Sequence, residues 1–273
     1  MKKDSTSDIK FLLEKQQKEL TDSLKYGSFI QKALLPDATL LKRCFKEYFL
    51  LYKPCELVSG DFYWVSRKNN LVYFAIADCT GHGVPGAFLS ILGLSLLNQL
   101  IEKCIDLKAS IFLNSLREYI MKALHQTGDI YEQKDGIDMA FCILDYKKHS
   151  ITYSGAFLPL YIVRNYTQLI EIPADKMPIG IAADEERPFS DHEIALQEGD
   201  MIYLFTDGYV DQFGGELGKK FKYIPFRNLL LSVCKFPAEE QQKKIEEAHI
   251  SWKGDISQLD DISVFGFRYK RDE

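Results

Sequence analysis

None of the six cysteines (Cys44, Cys55, Cys79, Cys104, Cys142, Cys234) forms a Cys-x-x-Cys pair, which removes the usual zinc-knuckle and thioredoxin-type spacings. They read as reduced thiols of a cytosolic protein, and a cytoplasmic location is expected. A basic block is missing too: 34 Lys and Arg against 39 Asp and Glu leave a net charge of −5. Neither nucleic acid nor an anionic membrane surface is an expected partner. The opening residues, Met1-Lys2-Lys3-Asp4-Ser5, lead into a charged stretch rather than an apolar run with a small-residue cleavage site, so no secretory signal is expected. Val84 to Ile101 lacks charge altogether and has nearly the length of a membrane span. Gly86, Ser90, Gly93, Ser95, Asn98 and Gln99 interrupt it and Pro85 suits a first helical turn, so a buried core helix is expected there and no span.

What is present is enough for a large core: 46% of the 273 residues are hydrophobic and 13% aromatic. Residues 8–34 alternate charge with Ile9, Leu13, Leu20, Ile30 and Leu34, a loose heptad with Gln16, Ser23 and Gly27 at other seam positions. Two readings stand for it, a helix that pairs with a second copy in a homodimer and an amphipathic helix lying on its own domain; Pro36 ends it. From Pro36 to about residue 80 the pattern is that of strands: Tyr48–Tyr52, Phe62–Val65, a turn at Arg67-Lys68-Asn69-Asn70, then Leu71–Ala77 as the second arm of a hairpin. Helices are expected at about 84–105 and 109–126. Strands are expected at Met139–Tyr146, Ile151–Ser154, Leu160–Arg164, Leu169–Ile172 and Met201–Thr206, helices at about 225–233 and 238–250, and a closing strand at Ile262–Tyr269. Clustered strands with short turns and paired helices argue for an α+β domain with mainly antiparallel sheets. The division expected is a helical extension over 1–36 and one domain over 37–273.

Four aspartate positions share a local pattern, each at the end or start of an apolar strand and beside a turn. They are Asp61 in Ser59-Gly60-Asp61-Phe62-Tyr63, Asp78 in Ala77-Asp78-Cys79-Thr80-Gly81-His82-Gly83, Asp207 in Phe205-Thr206-Asp207-Gly208-Tyr209, and Asp260 with Asp261 in Leu259-Asp260-Asp261-Ile262-Ser263. Any one of them is an ordinary turn former. If their strands are neighbours, however, the carboxylates converge at one sheet edge and repel unless cations compensate them. Oxygen donors without Cys or His at ligand spacing favour Mg²⁺ or Mn²⁺ over Zn²⁺.

Taken in order, Gly60-Asp61-Phe62-Tyr63, Ala77-Asp78-x-x-Gly81-His82-Gly83-Val84-Pro85, Thr206-Asp207-Gly208 and Asp260-Asp261-Ile262-Ser263 resemble the metal-dependent protein phosphatase 2C superfamily, most closely its bacterial SpoIIE/RsbU branch. The similarity runs from about Lys53 to the C-terminus and includes Asp138-Met139-Ala140, Tyr153-Ser154-Gly155-Ala156, Met177-Pro178-Ile179-Gly180 and Phe213-Gly214-Gly215-Glu216. The resemblance implies an αββα sandwich of two mainly antiparallel sheets flanked by helix pairs, with two Mn²⁺ or Mg²⁺ ions at one edge. Asp78 would bridge both ions, Asp61 and the backbone carbonyl of Cys79 would complete one site, and Asp207 and Asp260 the other. Gly81 and Asp261 would lie behind these ligands.

It further implies a serine/threonine protein phosphatase in which Asp61 and Asp78 act through a metal-activated water. No cysteine has Arg six positions later and no Asp-x-Asp pair occurs, so a cysteine or aspartate nucleophile has no support. The expected substrate is a signalling phosphoprotein such as an anti-sigma-factor antagonist in a partner-switching pathway. The alternatives are a catalytically silent phosphoprotein-binding regulator of the same fold and a dinuclear phosphoesterase for nucleotides. Two departures stand out. Where many eukaryotic members have a catalytic His two positions after the bridging Asp, this chain has Thr80, and His82 reads as a turn or supporting residue. The phosphate-gripping Arg of those members has no counterpart, Lys53 and Arg67 reading as solvated; Lys219-Lys220 is a candidate contact for an acidic partner.

Overall fold

A computed structural model of the chain describes residues 4–103, 108–127, 135–181 and 187–271. The first half runs α1 (Asp4–Leu34), α2 (Ala38–Cys44), β1 (Tyr48–Lys53), β2 (Phe62–Lys68), β3 (Leu71–Cys79), α3 (Gly83–Lys103), α4 (Ala109–Ala123), β4 (Gly136–Asp145) and β5 (Ser150–Ala156). The second half runs β6 (Leu160–Arg164), β7 (Gln168–Ile172), β8 (Ile179–Gly180), β9 (His192–Ala195), β10 (Met201–Phe205), α5 (Gly208–Asp211), β11 (Phe213–Gly214), β12 (Lys219–Lys220), α6 (Tyr223–Val233), α7 (Ala238–Lys253) and β13 (Ile262–Arg268).

Alternation along β3 shows why these strands make two stacked sheets. Val72, Phe74 and Ile76 face one side and Tyr73, Ala75 and Ala77 the other, and all six are buried, as a strand covered on both faces requires. The first set packs on Leu160, Ile162, Ile202, Leu204, Phe265 and Phe267 of the facing sheet, and the second packs beneath α3 and α4. That facing sheet has the order β1-β13-β10-β6-β7, and the sheet containing β3 has the order β2-β3-β4-β5-β9 with β8 beside β4. All these strand pairs are antiparallel. On the outer face of the first sheet, Phe49, Tyr203, Phe205 and Val264 meet Phe226, Leu230 and Ile245 of α6 and α7. The result is the expected αββα sandwich.

The β2–β3 hairpin closes through Asn69 and Asn70, with Lys68 opposite Leu71 and Asn69 at φ 52°, a conformation that asparagine tolerates. One stretch departs from the strand pattern expected after Pro36: residues 38–44 form α2. Asp37 caps it, its side chain accepting from the Leu40 amide at 2.7 Å, and Leu41 and Cys44 turn inward. The short elements β8, β9, α5, β11 and β12 were not expected either. Helix α3 has the length and composition of a membrane span, but half of its most apolar window is buried within the protein, where Leu94, Leu97 and Leu100 join the core under β2 and β3. Cys104 and the expected end of this helix at 105 lie outside the described residues; the other five cysteines are free thiols.

Only the last turns of α1 touch the sandwich. Residues 8–20 are exposed, and the heptad residues Ile9, Leu13, Leu20, Ile30 and Leu34 all face outward, whereas Ser28 and Gln31 are buried. The inward face is therefore a different one from the expected seam.

Phe141 is the centre of the core beneath α4, stacked on Phe112 at 4.4 Å and on Trp64 at 6.3 Å between ring centres. Phe141→Ala is expected to lower unfolding stability by about 3–5 kcal/mol. Urea unfolding followed by tryptophan fluorescence measures it.

Candidate metal centre

Both sheets contribute to one acidic end. Asp61 stands immediately before β2 and Asp78 lies near the end of β3, while Asp207 follows β10 and Asp260 and Asp261 precede β13. Since β10 and β13 are neighbours in one sheet and β2 and β3 in the other, stacking the sheets brings the four turns together. A cleft of about 190 Å³ opens there, lined by Asp78, Cys79, Thr80, Gly81, His82, Asp138 and Asp260.

The turns approach closely because side chains are missing where backbones meet. A Cβ on Gly60 would lie 2.9 Å from the Gly81 carbonyl oxygen, and one on Gly86 would lie 2.1 Å from the same atom. A Cβ on Gly208 would come within 2.0 Å of the Asp261 carbonyl oxygen, so Gly208 is what allows the Asp207 turn to pack on Asp260-Asp261. Asp261 then fastens the two sheets together: its carboxylate accepts from the amides of Cys55 and Gly60, both at 2.7 Å. Charge-assisted bonds of this kind are among the stronger ones. The loop so held ends in Asp61, whose Oδ2 accepts from the Thr206 hydroxyl at 2.7 Å and whose carbonyl accepts from the Tyr52 hydroxyl at 3.1 Å. From the far side Gln31 of α1 donates to the Ser59 carbonyl and the Ser90 hydroxyl and accepts from the Ser59 amide.

Electrostatics disfavour this arrangement in the absence of cations. Burial pushes the Asp61 carboxyl well above the ordinary carboxylate range, and burial with the neighbouring Asp61, Asp207 and Asp260 charges pushes Asp78 up to about 10. Asp207 and Asp260 are raised by burial first and by nearby carboxylates next. Asp138, opposite Asp78 in the β3–β4 register, is pushed up to about 7 by burial and by Asp207. It belongs to the same acidic group, and sequence reading did not single it out as a ligand. The Asp138-Met139-Ala140 stretch carried only a resemblance, and it is the register that puts Asp138 across from Asp78.

Among the described residues no three His, Cys, Asp or Glu form a closed cage as they stand. The donor chemistry nevertheless suits hard divalent cations. Asp61 is 1% exposed and its Oδ1 has no hydrogen-bond partner, an orphaned acceptor at the head of an all-oxygen set. Lys53 and Arg67 are engaged elsewhere, whereas Lys220 is near enough to Asp207 for its charge to counter the rise of that carboxyl. Lys53 pairs with Glu246 at 2.8 Å, Arg67 donates to the Arg43 carbonyl at 2.6 Å, and Lys220 pairs with Asp211 at 2.6 Å. His82 stands at the cleft mouth, its Nδ1 2.8 Å from Glu56 Oε1.

Two stacked antiparallel sheets between helix pairs, with carboxylates at one edge, are the architecture of a protein phosphatase 2C domain. The SiaA-PP2C domain of Pseudomonas aeruginosa superposes with a TM-score of 0.85 at 29% identity, over 93% of this chain and 99% of that one. The structure of the PP2C phosphatase domain and a fragment of the regulatory domain of SpoIIE from Bacillus subtilis does so with a TM-score of 0.66 at 21% identity, over 82% and 63%. The family model for Stage II sporulation protein E (SpoIIE) matches residues 68–270, and the chain belongs to that family. It is also 23% identical over 198 residues to the phosphoserine phosphatase RsbU of Bacillus subtilis (strain 168), covering 71% of this chain and 55% of that protein, so it spans about half the length of that relative.

The raised carboxyl pKa values set a pH dependence for the metal-free protein. A carboxyl with a higher pKa folded than unfolded holds its proton better in the folded state, so its contribution is full below about pH 4 and is lost as pH rises through the folded value. The windows run up to about 7 for Asp138 and about 10 for Asp78. In chelator, the melting temperature is expected to fall between pH 6 and pH 9, and Asp207→Asn is expected to melt no lower than wild type. A variant melting well below wild type would identify Asp207 as a structural hydrogen-bonding residue instead.

Proposed function

We propose that the protein is a serine/threonine phosphoprotein phosphatase working with two divalent cations, Mn²⁺ or Mg²⁺. The observation that carries this reading is the buried carboxylate group around Asp61, whose Oδ1 has no hydrogen-bond partner among the described residues. In this reading Asp78, Asp61 and the Cys79 carbonyl would hold one ion, and Asp78, Asp207 and Asp260 the other. Gly81 shapes the turn behind them, and Asp138 adds a carboxylate on the Asp78 side. A bound pair of such ions supplies an activated water and a charge clamp for phosphate oxygens. The chain's own part is to hold the carboxylates in register: Asp261 fixes the loop before Asp61, and Thr206 orients the Asp61 carboxyl. Burial pushes the Cys79 and Cys142 thiols well above their ordinary range, which keeps them protonated and unsuited to be nucleophiles.

Likeness to RsbU, itself named a phosphoserine phosphatase, supports a cytoplasmic phosphoprotein substrate of the anti-sigma-factor-antagonist kind in a partner-switching pathway. Residues 37–273 act as the catalytic unit and 1–36 as an extension, whose outward Ile9, Leu13 and Leu20 pair with a second copy. Removing residues 1–20 leaves Gln31 in place, so the truncated chain should change from dimer to monomer in light scattering and still cleave a small aryl phosphate.

Phosphate release from a phosphoserine peptide is the direct test of activity. Turnover is expected with Mn²⁺, none with chelator, no trapped phosphoenzyme, and a loss of about 100-fold or more in Asp61→Asn. Full activity in chelator would overturn the reading.

A further inference from the structure

The metal centre has an acidic lining and one side chain of the opposite tendency. Among the residues lining the cleft, His82 alone can carry positive charge, and it is largely exposed, its side chain 62% accessible at the mouth. Two features show that its position is built. The turn that presents it runs through left-handed backbone on both sides, Gly81 at φ 83° and Gly83 at φ 65°, so the ring projects from a fixed corner between β3 and α3. Glu56, from the loop before β2, then holds the ring by Nδ1 at 2.8 Å. Gly83 also makes the room for that carboxylate, since a Cβ there would stand 2.9 Å from Glu56 Oε2.

We propose that His82, steadied by Glu56, is the group that grips the phosphoryl oxygens of the substrate at the mouth of the cleft. With Nδ1–H donated to Glu56, Nε2 is the nitrogen left for the ligand, and in the imidazolium form it donates a charged hydrogen bond to a phosphate oxygen. Glu56 favours that form, and Asp260 and Asp261 across the cleft act in the same direction; the positive end of α3 and partial desolvation oppose it. The net effect raises the ring above its ordinary value. A fixed cation at the rim of an acidic pocket also gives an approaching phosphate an attractive first contact where carboxylates alone would repel it. This fills a phosphate-gripping role for which the cleft lining offers no arginine. Glu56 is the positioning residue: it touches the ring, not the substrate.

The inference rests on the phosphatase reading, and two measurements separate their failures. In the Mg²⁺-loaded protein, the Nε2 resonance of His82 is followed by NMR as inorganic phosphate is added, and inhibition of peptide dephosphorylation by inorganic phosphate is measured in parallel. The resonance is expected to shift saturably. His82→Ala is expected to weaken phosphate inhibition and raise KM for the phosphopeptide by about tenfold or more, with kcat changed far less. Glu56→Gln should lower the ring pKa seen by NMR and give an intermediate loss of phosphate affinity, a pairing of effects that a merely structural contact would not produce. An unmoved resonance, or unchanged phosphate inhibition in His82→Ala, overturns the proposal. If the wild-type protein releases no phosphate from any substrate, the phosphatase reading fails and the resonance still decides whether His82 binds phosphate.

Discussion

Like charges repel, and this fold holds Asp61, Asp78, Asp138, Asp207 and Asp260 at one end of two stacked sheets, most of them withdrawn from water. Much of the surrounding structure opposes their separation. Gly60, Gly86 and Gly208 allow backbones to meet where any side chain would wedge them apart. Asp261 accepts two amides from the neighbouring loop, and that loop ends in the most deeply buried of the carboxylates. The sandwich supplies the force for this: three apolar layers are large enough to outweigh several unfavourable carboxyl contacts at the edge.

The same edge divides its labour by chemistry. Among the residues lining the cleft, Asp78, Thr80, Asp138 and Asp260 offer side-chain oxygen and His82 alone offers side-chain nitrogen. A shallow, polar cleft of this sort makes few apolar contacts, so affinity for a protein substrate has to come from surfaces outside it.

Most of the frame was legible because its strands are long and buried. The run Leu71–Ala77 and the Asn69-Asn70 turn announce a hairpin in plain periodicity, and the Asp-Gly and Gly-Asp turns beside the strands point to the acidic edge. What was missed lacks a local signal. α2 rests on a single cap at Asp37, and β8 and β9 are short strands whose pairing is decided by β4 and β5 rather than by their own composition. Asp138 interrupts an apolar strand and has meaning only opposite Asp78. Glu56 and His82 meet through the fold of two loops, which no spacing rule encodes, and the inward face of α1 is carried by Ser28 and Gln31 while the apolar heptad points away.

The acidic edge draws on residues near both ends of the domain: Asp61 before the second strand, Asp260 before the last. Such an edge exists only after the final strand, β13, has inserted between β1 and β10. Contacts of this sequence separation form late and slowly. A chain emerging from the ribosome therefore cannot assemble the edge until β13 has been released, and a nascent or C-terminally clipped molecule would lack Asp260 and Asp261 however well the rest of it had collapsed. Formation of the acidic edge is thus tied to the placement of β13 between β1 and β10, however much of the sandwich has collapsed before it.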